Sequence, residues 1–166
     1  MLIDQVKSDI LQWMQDFVEV ARADLGNWPP CPFARQARLH NLVDIRLGGA
    51  DPYIDLRAVT DLSGSEVIVL AYDPTEFAAA EFNELVDSAN DAFLAGRGLI
   101  ALADHPADPE VVCGVTMNQG HYALVFVQDL AKLNGHAHQL ADRGFYDLWP
   151  EDYLHTLFRG RQDPRS

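Results

Sequence analysis

A chain of 166 residues is sized for one domain with a full hydrophobic core. Its 48% hydrophobic and 22% charged residues exclude disorder, and a formal net charge of −13 disfavours a nucleic-acid partner or an anionic membrane surface. No apolar run reaches the roughly 18 residues of a membrane-spanning helix, and two cysteines, Cys31 and Cys113, are too few for a disulfide framework.

The segment Met1 to Asp9 carries acids and no signal-peptide pattern, so a cytoplasmic protein with reduced thiols is expected. Residues 2–24 read as one amphipathic helix, with Ile3, Val6, Ile10, Trp13, Met14 and Phe17 at helical spacing and Gly26-Asn27 ending it. Pro29-Pro30-Cys31-Pro32 follows, then a short helix from Pro32 to about Leu39. Leu42 to Leu47 reads as a strand broken by Gly48-Gly49. Residues 53–62 are ambiguous, a short helix containing Leu56 and Val59 being one reading. Glu66 to Tyr72 is a β-branched run suited to the centre of a covered sheet.

Asp73-Pro74-Thr75 opens a long helix expected to reach about Ala95, and Leu99 to Ala103 is a second buried strand, completing a βαβ crossover over 66–103. The acidic loop Asp104 to Glu110 stands at its C-terminal end, and Val111 to Met117 is expected to pair with it. A fourth strand, His121 to Val127, leads into a helix from Asp129 to about Asp142, and Glu151 to Phe158 forms a last short helix. The predicted fold is α/β (α+β): a four-stranded mixed sheet in ββαββα order, a circular permutation of the ferredoxin-like arrangement, with helices added at both ends. A small doubly wound sheet is the alternative. One domain spans 1–166, with a core over 31–143 between the N-terminal helix and a C-terminal helical segment over 145–159.

The stretch Trp28 to Arg38 holds the clearest chemical signal. Proline suits the first position of a helix, which places Cys31 at or beside the N-cap, where unpaired amides, the helix dipole and Arg35 favour a thiolate. A buried, inert cysteine is the competing reading.

Cys31-Pro32-Phe33-Ala34 resembles a motif shared by small bacterial and phage single-domain proteins of unknown function, in which a CPFA sequence follows an N-terminal helix. The resemblance continues through Asp104-His105-Pro106, His121 to Leu133 and Tyr146 to Tyr153. It implies a single α/β domain, carries no activity, and directs attention to Cys31 and the Asp104-His105 loop. The Cys-Pro start also looks like a glutaredoxin or thioredoxin site, but Ala34 stands where the second cysteine belongs and no βαβ unit precedes it, which argues against a dithiol oxidoreductase.

Three functions remain. In the leading one, Cys31 is a nucleophile with His105 as base and Asp104 or Asp108 as orienting acid, acting on a small anionic molecule held by Arg35 and lined by Trp28. In the second, the chain is a metal-binding enzyme in which Cys31, His105, His121 and one or more acids hold zinc or iron. His136 and His138, two apart and roughly 200° around a helix, cannot share an ion, and His40, His136 and His155 read as surface or cap residues. In the third, the chain is a non-catalytic binding or accessory protein, with Tyr146, Trp149, Tyr153 and Phe158 as a patch for a protein partner. Gly48-Gly49 and Gly96-Arg97-Gly98 match no nucleotide-binding pattern. Lysine occurs only at Lys7 and Lys132.

Overall fold

In the computed structural model, which describes residues 1–165, β-branched runs and amphipathic stretches build a four-stranded mixed sheet with six α-helices around it. The strands are β1 (Val43–Leu47), β2 (Val67–Tyr72), β3 (Leu99–Asp104) and, after a small hairpin of β4 (Val111–Val112) and β5 (Val115–Thr116), β6 (Ala123–Asp129). Their spatial order is β1-β2-β6-β3. β1 runs parallel to β2, with Val43 opposite Val67, and β6 runs antiparallel to both β2 and β3, with Ile68 opposite Val127 and Leu102 opposite Phe126.

The element order differs from the expected ββαββα. A helix, α3 (Pro52–Arg57), stands between β1 and β2 and lets them pair in parallel. Asp51 caps it by accepting from the Tyr53 amide, and Pro52 occupies its first turn. The strand–helix–strand unit over 66–103 is present, but β6 lies between its two strands. Val111 to Thr116 does not pair with β3: β4 and β5 pair only with each other, turning through Cys113 and Gly114, both at positive φ.

Helix boundaries shift for local reasons. α1 (Ile3–Trp13) runs on as a π-helical turn, Met14–Val18, and stops there instead of reaching residue 24. Arg22 and Trp28 bridge antiparallel around Gly26 and Asn27, both at positive φ, so the chain reverses as a hairpin. Asp73 caps only a 3₁₀ turn, Pro74–Glu76, and α4 (Ala79–Ala89) begins later, ending in another π-helical turn, Asn90–Leu94. That second turn has a packing role. The Asn90 amide donates to the Ala101 carbonyl and accepts from the Ala101 N–H, both at 2.8 Å, closing the outer edge of β3.

Alternation along β2 divides the core. Ile68, Leu70 and Tyr72 pack with Leu56 of α3 and with Phe82 and Val86 of α4. Phe82 is fully buried, where truncation to alanine costs about 3–5 kcal/mol. Val69 and Ala71 point to the opposite face with Leu124, against Val6 and Ile10 of α1. The remaining cover on that second face comes from the Cys31 segment, α2 (Ala34–Leu39) and α5 (Leu130–Asp142), which leave a gap over the sheet.

The C-terminal aromatics do not form the exposed patch proposed for a protein partner. Tyr146 and Phe158 are buried with Ala137, Leu140, Phe145 and Leu154, the last from α6 (Glu151–Leu157), while Trp149 and Tyr153 pack against Leu25, Val112 and Val115. No helix among the described residues is long and apolar enough to cross a membrane.

Candidate functional site

The gap on the second face is a cavity of about 440 Å³. Val67, Val69, Leu102 and Phe126 form its floor, Trp13 and Met14 one wall, and Phe33 and Ala37 another, with Leu133 and His136 of α5 closing it. Its polar rim includes Cys31, Glu66, Gln128 and Lys132. A concave, mainly apolar site with a few convergent polar groups is the usual form of a small-molecule pocket.

Cys31 reaches this cavity, but not as a helix cap. α2 starts at Ala34 with Phe33 as its N-cap, so Pro32 lies outside the helix and Cys31 two residues before its cap. The loop is fixed by the Cys31 amide, which donates to the Val18 carbonyl at the end of the π-helical turn (3.1 Å). It is also fixed by Arg38, whose guanidinium meets both oxygens of Glu19 at 2.7 and 2.8 Å. Cys31 is an exposed residue, yet the protein packed around its thiol pushes it above its ordinary value, opposed by hydrogen bonds from the Phe33 and Ala34 backbone. The expected activated thiolate is therefore reversed in direction. Arg35 is exposed and Trp28 is packed edge-on against Phe145 at 5.6 Å with Arg143 over its ring, so neither lines the cavity.

The Asp104-His105 loop is committed elsewhere. Alternation past the end of β3 sends the two side chains to opposite faces. His105, 4% exposed, lies edge-on to Phe82 on the first face. Its Nδ1 accepts from the Ala107 amide at 3.1 Å, so Nε2 carries the proton and donates to the Phe77 carbonyl at 3.0 Å. With both nitrogens engaged on the other side of the sheet, His105 is no base for Cys31. Asp104 accepts from Asn118 Nδ2 (2.7 Å) and the Gln119 amide (3.1 Å), tying its loop to the turn before β6, while burial pushes its carboxyl up. Asp108 accepts from Asn83 Nδ2 instead of orienting His105.

The alternative metal set is likewise dispersed. Cys31 lines the cavity, His105 is buried on the other face, and His121 is exposed on a turn. Among the described residues, no group of three or more His, Cys, Asp or Glu side chains is placed to hold a metal ion.

Residues without a sequence motif complete the site. His136 stacks on Phe33 with centroids 3.8 Å apart, and burial, reinforced by Lys132 and opposed by Glu66, holds its imidazole below the usual value. Lys132 pairs with Glu66 across the rim, joining α5 to the start of β2. The signal that was available was the lysine itself, placed in the first turn of a helix where the dipole disfavours a cation.

A second cavity, about 730 Å³, adjoins the first: Trp13, Leu102 and Phe126 line both. Its far side holds Asp104, Asp108, Glu110 and Tyr153. Cys31 and the Asp104 loop thus border neighbouring cavities, not a common reaction centre. The chain matches no protein-family model, no curated protein and no solved structure significantly.

Proposed function

We propose that this protein binds an apolar small molecule in the Cys31 cavity and is not a thiol-dependent enzyme. The observation that carries this reading is the mainly apolar, 440 Å³ cavity over the sheet, whose polar rim includes a paired Lys132 and Glu66. The raised thiol of Cys31 and the engagement of both His105 nitrogens support binding over nucleophilic catalysis. In the reading of the chain as one of the CPFA proteins, the motif serves as cavity wall, since Cys31, Phe33 and Ala34 all line it.

Calorimetric titration with a neutral aryl or alkyl probe tests the proposal. Binding is expected to be saturable with a negative heat-capacity change, the mark of apolar burial. Filling the cavity by Ala37→Phe or Val67→Phe should weaken it at least about tenfold, roughly the loss of two buried methylenes, in whichever variant keeps the wild-type circular dichroism. Absence of saturable binding, or binding unchanged in a folded cavity-filled variant, would overturn it.

A further inference from the structure

The two cavities differ in character and share a wall. On one side of Trp13, Leu102 and Phe126 lies the apolar cavity beside Cys31, and on the other lies the larger one, whose lining includes Asp104, Asp108, Glu110 and Asp152 and no basic side chain. The Trp13 and Phe126 rings, two of the three shared residues, meet at 6.4 Å with their planes tilted by 32°. Trp13 is only half-buried, and it stands where α1 passes into its π-helical turn, a helix irregularity that recurs at functional sites.

Three of the acids have neutral hydrogen-bond donors and no ion pair with lysine or arginine among the described residues: Asp104 takes Asn118 and Gln119, with His105 the one titratable base acting on it, Asp108 takes Asn83, and Glu110 takes the Tyr153 hydroxyl at 3.1 Å. Burial and the neighbouring Asp104 and Asp108 push the Glu110 carboxyl up, a repulsion that a cationic group entering this cavity relieves. The same charges oppose entry of a carboxylate or phosphate.

Building on the binding reading above, we propose that the two cavities hold one elongated ligand, a cationic amphiphile. Its apolar chain fills the Cys31 cavity, and its ammonium head lies past Trp13 among Asp108, Glu110 and Asp152. The chain supplies affinity through burial, and the head supplies selection against neutral and anionic molecules of the same length.

Titration at pH 7 with decylammonium, decanol and decanoate separates the two proposals. Decylammonium is expected to bind about tenfold or more tighter than decanol, the usual return of a charge-assisted hydrogen bond, and decanoate weakest. Asp108→Asn/Glu110→Gln should remove most of that advantage and leave decanol binding unchanged. Asp152→Asn, an exposed position, serves if the double variant does not fold. Asp91→Asn/Asp142→Asn, which removes the same charge from exposed positions outside both cavities, should leave the advantage intact. Equal binding of decylammonium and decanol, or an advantage lost equally in the Asp91/Asp142 variant, overturns the cationic-head proposal while decanol binding still supports the apolar site. Absence of binding by all three overturns both.

Discussion

His136 lies flat on Phe33, ring centroids 3.8 Å apart and planes 11° from parallel, and this stack joins α5 to the Cys31 segment across the cavity mouth. Leucine at position 33 keeps most of the apolar volume and loses the stack. Phe33→Leu is therefore expected to cost about 0.5–1.5 kcal/mol in urea denaturation, the usual worth of an aromatic pair beyond its burial, and to weaken binding of the neutral probe. An unchanged unfolding midpoint would show that the stack contributes nothing.

The same imidazole makes stability depend on pH. Burial holds His136 below its ordinary value of 6.5, so the folded state binds fewer protons there than the unfolded chain. Its contribution is fully present above that ordinary value and is lost as pH falls through the lower folded-state value. Denaturation at a series of pH values between neutral and mildly acidic should show this decline, and His136→Phe should flatten it.

Asp104 and His105 hold the loop after β3 and are not reaction partners of Cys31. Asp104→Leu strands the Asn118 and Gln119 donors and is expected to cost about 1–3 kcal/mol. His105→Leu leaves the Phe77 carbonyl and Ala107 amide unpaired, with a similar cost. Both variants should bind the neutral probe as the wild type does. A loss of binding in His105→Leu, with the fold intact, would return His105 to the site.

The central strands were legible because their signal is local. The expected strands over Glu66 to Tyr72 and Leu99 to Ala103 are apolar runs after Glu66, and they appear as Val67–Tyr72 and Leu99–Asp104. What was not legible depends on contacts between distant residues. Nothing near Lys132 announces Glu66, and nothing near His136 announces Phe33, on which its ring stacks beside Leu133 in the cavity lining. Cys31 lines a cavity, but Pro32 points to a helix start that the chain delays to Ala34, and the burial that outweighs the Phe33 and Ala34 amides at the thiol has no local sequence signal. Side-chain alternation separates Cys31 from His105: consecutive residues at a strand end face opposite ways, so Asp104 lines the second cavity while His105 is buried on the other face of the sheet.

The high thiol value also predicts slow chemistry. At pH 7 Cys31 should alkylate more slowly than a free cysteine, with its rate still rising above pH 9.0, the ordinary value beyond which burial pushes it. A reaction already at its plateau at neutral pH would contradict the assigned direction.

The most direct test of the binding proposal uses that thiol as a reporter. Alkylation of Cys31 and Cys113 is followed by mass spectrometry at alkaline pH, with and without decanol. Cys31 lines the cavity, whereas the Cys113 thiol donates to the Leu148 carbonyl at the β4–β5 turn. A ligand in the cavity is predicted to slow labelling of Cys31 in proportion to occupancy and to leave Cys113 unaffected. Saturable decanol binding that leaves the Cys31 rate unchanged would place the ligand elsewhere and contradict the account.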